Sequence, residues 1–216
     1  MFFLQNDITI VLDIGNVVLP IDYNRTVQSF SRHTPADIQS MLSLHQQTLI
    51  FDQFERGEIS ASIFRKEVSE LFGMSVSDDF FDSCWNDLLL SVPEKNLQHL
   101  AVLRKHYRVV ALSNINEIHA QALDQYATNQ LNISSFRDLF HKVYYSYEHG
   151  FRKPEIDFYK LLQQLENSEG KNILFIDDKI ENVEPARTLG WKAVQLVRPE
   201  DFVEVLERCL GDNGDK

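Results

Sequence analysis

Ile8-Thr9-Ile10-Val11-Leu12 runs straight into Asp13, and Gly15 follows two residues later. A β-branched, mostly apolar run of this length, closed by a turn signal, reads as a short buried strand. In an open α/β sheet, ligands bind at the carboxyl ends of the strands. Asp13 therefore stands where a metal ligand, a nucleophile or a loop cap is placed. Two later stretches repeat the pattern. Val109-Val110-Ala111-Leu112 runs into Ser113-Asn114, and Ile173-Leu174-Phe175-Ile176 into Asp177-Asp178.

The rest of the chain divides in two. From Asp22 to about Ser91 no strand pattern occurs. Phe51, Phe54, Ile59, Ile63, Phe64, Val68, Leu71 and Phe72 recur near helical spacing, and Phe80, Phe81, Cys84, Trp85 and Leu88 form another stripe. Five or so helices are expected there. From Pro93 onward, helical and strand patterns alternate. Pro93 fits a first helical turn, and strands are expected over 107–112, 142–146, 172–176 and 192–197. Helices are expected over 115–126, from Pro154, over 183–189 and over 202–210. Such alternation implies βαβ units and a parallel sheet. The first strand must join that sheet, so the helical segment is an insertion. The expected division is a core of residues 1–18 plus 92–216 and an inserted helical subdomain of residues 19–91.

Composition narrows the chemistry. Among 216 residues, 21 Lys and Arg face 32 Asp and Glu, a net charge of −11. Phosphate backbones are bound by clusters of Lys and Arg, so a nucleic-acid partner is not expected. A small phosphorylated metabolite needs only a few local donors. The two cysteines, Cys84 and Cys209, form no metal-site or disulfide pattern. Met1 to Asp7 carries no basic leader, and no apolar run approaches the ~20 residues of a membrane span. A cytoplasmic protein without membrane contact is the expectation. There is no His-Glu-x-x-His pair, Gly-x-Gly-x-x-Gly loop or Walker sequence. His149 is expected on an exposed loop rather than in a site.

In a parallel sheet, Asp13, Ser113, Asn114, Lys153, Asp177 and Asp178 converge on one edge. A carboxylate pair with a further strand-end aspartate suits Mg²⁺, which takes a few carboxylate oxygens and keeps waters. A lysine beside a hydroxyl suits phosphate oxygens. An aspartate is also able to attack phosphorus and carry the phosphoryl group covalently.

At these residues the chain resembles the haloacid dehalogenase superfamily of phosphohydrolases. The likeness rests on Asp13-Ile14-Gly15-Asn16-Val17, Leu112-Ser113-Asn114, Arg152-Lys153-Pro154-Glu155, and Phe175-Ile176-Asp177-Asp178 with Asn182. Within the superfamily the chain is most similar to the bacterial α-D-glucose-1-phosphate phosphatases, which share the Asp-x-Gly-Asn-Val opening and resemble it at Glu55-Arg56-Gly57-Glu58-Ile59-Ser60. The resemblance implies a Rossmann-like α/β core, with a parallel sheet flanked by helices, and makes the helical insertion a cap. It implies that Asp13 is nucleophile and Mg²⁺ ligand, and that the Gly15 carbonyl and Asp178 also bind the metal. Asp177 lies beside them as an occasional ligand. Ser113 and the Asn114 amide hold phosphate oxygens, and Lys153 neutralises phosphate and nucleophile. The implied activity is Mg²⁺-dependent hydrolysis of a small phosphate monoester, a sugar phosphate such as a sugar-1-phosphate, through an aspartyl phosphate. A catalytically weak regulatory module that binds Mg²⁺ and phosphate, or a metal-independent haloacid dehalogenase, are the alternatives.

One position departs from the family pattern. Most phosphatases of the superfamily carry a second aspartate two residues after the nucleophile, as general acid and base. Here that residue is Gly15, which has no side chain to hold a proton. Substrate choice is expected on the insertion, at Asp22-Tyr23-Asn24-Arg25 and Arg56-Gly57-Glu58. That insertion is acidic, which is at odds with an anionic substrate.

Overall fold

Strand β1, Thr9–Leu12, is buried along its whole length. The computed structural model describes residues 8–40 and 49–211; the stretch Met1 to Asp7 lies outside them. On one side β1 pairs in parallel with β2 (Arg108–Ser113), which pairs with β3 (Lys142–Tyr145). On the other side it pairs with β4 (Ile173–Asp177), which pairs with β5 (Lys192–Gln195). The order is β3-β2-β1-β4-β5, all parallel. Successive strand residues point to opposite faces. Ile10, Leu12, Val109 and Ala111 therefore join one apolar cluster, and Val11, Val110, Leu112 and Phe175 the other. Burial on both faces explains why these strands carry apolar runs rather than strict alternation.

Helices α5 (Glu94–His106) and α10 (Phe202–Gly211) supply Leu100, Leu103 and Leu206 to the first cluster. Helices α8 (Ile156–Glu166) and α9 (Ile180–Thr188) supply Phe158, Leu162 and Val183 to the second. Helix α6 (Glu117–Tyr126) follows β2, and a single helical turn, α7 (Ser146–His149), follows β3.

The chain leaves the sheet after β1 and returns before α5. The outgoing and returning segments pair at Ile21 and Leu89. Asp22 N–H donates to Leu88 O at 2.9 Å, and Leu90 N–H to Pro20 O at 3.2 Å. Between them lie α1 (Tyr23–Ser31), α2 (Leu49–Glu55), α3 (Ala61–Leu71) and α4 (Asp78–Asn86). Side-chain oxygens of Asp22, Ser60 and Ser77 cap α1, α3 and α4, satisfying N–H groups that have no partner within the helix. Phe30, Phe64, Phe72 and Phe81 are almost wholly buried in a third cluster. Phe54 stacks on Phe64 with ring centroids 4.1 Å apart. Ile118 on α6 reaches into the same cluster from the other side of the Ile21–Leu89 crossing. Residues 38–40 are helical as well, and residues 41–48 lie outside the described ones.

Several expected boundaries move. Pro93 caps α5 from outside rather than occupying its first turn. Ser146 begins α7 instead of ending β3. The helix expected from Pro154 starts at Ile156, because Asn114 holds Lys153 by its backbone N–H and C=O and keeps that segment in a turn. Helix α9 starts at Ile180 rather than Val183, because the Asp177 side chain accepts from Lys179 N–H and shapes the turn ahead of it. No helix among the described residues is long and apolar enough to cross a membrane.

Candidate functional site

The sheet order reverses at β1, which runs into Asp13, and the strands on either side of it, β2 and β4, end in Ser113 and Asp177. Asp13, Asp177 and Asp178 each offer an oxygen within 4.8 Å of the others. Lys153, 1% exposed, arrives from the turn before α8. Its Nζ lies 2.9 Å from Asp13 Oδ1 and 2.5 Å from Asp177 Oδ2. All four charged residues singled out in the sequence thus meet at one point.

Their surroundings differentiate them. Burial pushes the Asp13 carboxyl up to about 7 against the pull of Lys153, with Asp177 and Asp178 adding to the rise. Its Oδ1 also accepts from Ile14 N–H at 2.7 Å. Both oxygens of Asp177 are engaged: Oδ2 by Lys153, and Oδ1 by Asn182 Nδ2 at 2.8 Å and Lys179 N–H at 2.9 Å. Asp177 is fully buried and anchors the lysine. Asp178 is half-buried, and its Oδ2 accepts from Asn16 Nδ2 at 3.1 Å. Asn16 adopts a left-handed backbone, φ 56°, a conformation that asparagine tolerates better than most residues. Its Oδ1 accepts from Ile21 N–H, tying Asp178 to the start of the insertion.

Asn114 and Lys153 exchange two hydrogen bonds of 2.8 Å, from Asn114 Nδ2 to Lys153 O and from Lys153 N–H to Asn114 Oδ1. The side-chain amide of Asn114 is therefore committed to placing the lysine, and only its backbone N–H is left to offer a phosphate oxygen. Ser113, 4% exposed, ends β2 beside it.

A cavity of about 360 Å³ opens onto this edge. Ile14, Gly15, Ser113 and Asn114 line it from the sheet, and Tyr23, Phe54, Glu55 and Trp85 from the insertion. Of the expected specificity residues, Tyr23 and Asn24 line the cavity, whereas Asp22, Arg25, Arg56, Gly57 and Glu58 do not. His149 is outside the lining; half-buried, it packs against the Tyr144 and Phe158 rings rather than sitting exposed on a loop. His119 lines the cavity, and no sequence pattern marked it. Asn116 Nδ2 donates to its Nδ1 at 3.0 Å, and its Nε2 donates to Trp85 O at 3.2 Å. Burial holds its pKa down at about 4, so the ring is neutral and links α6 to α4.

Two acidic residues of the insertion, Asp52 and Glu55, are paired with arginines. Arg152 reaches Asp52 Oδ1 and Glu55 Oε2, each at 2.8 Å. Arg56 bonds Asp52 at 2.8 Å, donates to Gly150 O at 3.3 Å and pairs with Glu155. Helix α2 is thereby fastened to the segment that carries Lys153. The turn after α2 comes so close that a Cβ on Gly57, at φ 70°, would sit 2.1 Å from the Tyr147 carbonyl oxygen. Gly57→Ala is therefore expected to cost about 2 kcal/mol and to lower kcat/KM by displacing α2. Thermal denaturation and steady-state kinetics on the same sample check both effects.

The donor set fits a magnesium ion: three carboxylates gathered at the strand ends, one of them, Asp178, half-buried. No protein-family model matches the chain. The D-ribitol-5-phosphate phosphatase of Bacteroides thetaiotaomicron is 29% identical over 203 residues, 93% of this chain and 97% of that one. The crystal structure of a HAD family enzyme from the same organism is 30% identical, covers 94% of this chain and 99% of its own, and superposes with a TM-score of 0.84. That enzyme has also been solved with magnesium and inorganic phosphate. A predicted HAD-like hydrolase of Porphyromonas gingivalis is 25% identical, with 94% and 97% coverage and a TM-score of 0.85. L-2-haloacid dehalogenase of Xanthobacter autotrophicus, 18% identical with a TM-score of 0.61, shares the fold. Likeness that runs nearly end to end in both sequence and structure, on a chain whose strand-end aspartates and buried lysine meet in one place, shows that this protein belongs to the haloacid dehalogenase (HAD) family of hydrolases.

Proposed function

We propose that the protein is a Mg²⁺-dependent phosphatase that hydrolyses a small sugar or polyol phosphate through an aspartyl phosphate on Asp13. The observation that carries this reading is the placement of Lys153 Nζ 2.9 Å from Asp13, within a group of three carboxylates. A carboxylate nucleophile attacking a dianionic ester must overcome charge repulsion, and a fixed cation between the two reduces it. Asp13, Asp178 and the Gly15 carbonyl would hold the magnesium, which supplies further charge neutralisation at the phosphoryl oxygens. Ser113 and the backbone N–H of Asn114 orient the phosphoryl group. An Asp13 oxygen bonds to phosphorus as the ester P–O bond breaks; water then attacks the same phosphorus and frees Asp13. The insertion caps the cavity and excludes bulk water while this happens. The relative named for ribitol 5-phosphate and the relative solved with magnesium and phosphate support the same reading.

Gly15 offers no side chain to protonate the leaving oxygen, so the leaving group's own stability should count. An anomeric oxygen departs more readily than a primary alkoxide. Glucose 1-phosphate is expected to be cleaved faster than glucose 6-phosphate, and both reactions should stop when EDTA removes the metal and resume when Mg²⁺ is restored. Phosphate release from a panel of esters measures this. A metal-independent rate, or release of chloride from a haloacid instead of phosphate, would reject the assignment.

A further inference from the structure

We propose that Glu55, on the inserted subdomain, exchanges the proton with the leaving oxygen and so replaces the side chain that Gly15 lacks. The inference rests on the phosphatase reading above and adds a residue to it. Glu55 lines the cavity whose other wall is Gly15, Ser113 and Asn114.

The titratable side chains on that lining are Tyr23, Glu55, His119, Arg152 and Lys179. Both nitrogens of His119 are engaged, and the ring is neutral. Burial and the neighbouring carboxylates push Tyr23 up to about 12, so its hydroxyl keeps its proton through neutral pH. Arg152 and Lys179 are cations. Glu55 is the one carboxyl on the lining among the described residues.

Glu55 Oε2 is ion-paired with Arg152 Nη2 at 2.8 Å, yet among the described residues no hydrogen bond engages either carboxyl oxygen. The adjacent Arg56 fastens the end of α2 to Gly150 and Glu155, and Gly57 brings the following turn against Tyr147. The end of α2 that carries Glu55 is thus held against the segment that carries Lys153.

Burial raises the Glu55 pKa against the opposing pull of Arg152, Lys179 and Lys153, with Asp52 adding to the rise. A group that both gives and takes a proton near neutral pH needs such a shift. In the first step the Asp13 oxygen bonds to phosphorus, the ester P–O bond breaks, and the Glu55 carboxylic acid passes its proton to the departing oxygen. In the second, the Glu55 carboxylate takes a proton from water as that water attacks the phosphorus of aspartyl phosphate. Phosphate leaves, Asp13 is again a carboxylate and Glu55 is again protonated.

The test is leaving-group dependence in the full chain with Mg²⁺. Rate constants for the first turnover are measured for wild type, Glu55→Gln and Glu55→Asp on glucose 6-phosphate, glucose 1-phosphate and 4-nitrophenyl phosphate. The nitrophenolate departs as a stable anion and needs little protonation. Glu55→Gln is expected to slow glucose 6-phosphate about 100-fold, glucose 1-phosphate less, and 4-nitrophenyl phosphate only a few-fold. Glu55→Asp, which keeps a carboxyl one methylene shorter, should recover part of the loss on glucose 6-phosphate. Equal slowing on all three esters would assign Glu55 to holding α2 in place and overturn the proposal. A raised KM with unchanged kcat on the sugars alone would overturn it in favour of hydroxyl binding. If Glu55→Gln does not fold, equal slowing of all three esters by Glu55→Asp overturns the proposal in the same way. Wild type inactive on every ester with Mg²⁺ would overturn the phosphatase reading and this inference with it.

Discussion

Asp13→Asn is expected to reduce phosphate release by at least about 10⁴-fold on every ester, because it removes the atom that bonds to phosphorus. Asparagine matches aspartate in shape, and Asp13 sits in a buried pocket with Asp177 and Asp178 close by. Burial, with Asp177 and Asp178 close by, disfavours a third carboxylate there and pushes Asp13 up to about 7 against the pull of Lys153. Removing that charge should therefore leave the melting temperature of the metal-free protein unchanged or raise it. Activity lost with stability kept is the expected signature of a nucleophile. The aspartyl phosphate gives a direct check: rapid quenching with labelled substrate should trap it on wild type and not on the variant. A variant that retains even a hundredth of the wild-type rate would exclude Asp13 from that role.

Lys153→Met is expected to remove both activity and stability. The ammonium is buried between two carboxylates, 2.9 Å from Asp13 and 2.5 Å from Asp177. Breaking a buried ion pair from one side leaves an uncompensated charge and costs about 3–5 kcal/mol. For a chain of this size that is a fall in Tm of roughly 10 °C. Loss of the cation facing the phosphoryl group should lower kcat by about 10²–10³-fold or more. The two effects separate in a second variant. Adding Asp177→Asn to Lys153→Met removes one of the stranded carboxylates, so it should restore part of the Tm and none of the activity. Calorimetry and phosphate release on both variants test this. Full activity in the double variant would show that the lysine serves only to balance Asp177.

Much of this was legible along the chain because the signals are local. Apolar runs ending in polar residues marked β1, β2 and β4, and strand-end chemistry singled out Asp13, Ser113 and Asp177-Asp178. The helical insertion showed in aromatic spacing. Other features depend on partners far away in sequence. The commitment of the Asn114 carboxamide joins residues 39 apart, and the fastening of Arg56 to Glu155 joins residues 99 apart. Nothing near His119 signals that its nitrogens are shared between Asn116 and a carbonyl on α4.

Taken alone, the order of residues pointed to the parallel sheet and singled out Asp13, Lys153, Asp177 and Asp178, which lie together in the fold. Folding decided how those side chains are engaged: Asp177 became an anchor for Lys153, Asp178 was tied to Asn16, and Glu55 came to line the same cavity as Gly15. The difference arises because burial and hydrogen bonding act through space. A carboxylate with every oxygen engaged and one with an oxygen left open are the same residue in the chain, and only neighbours brought in by the tertiary structure distinguish them.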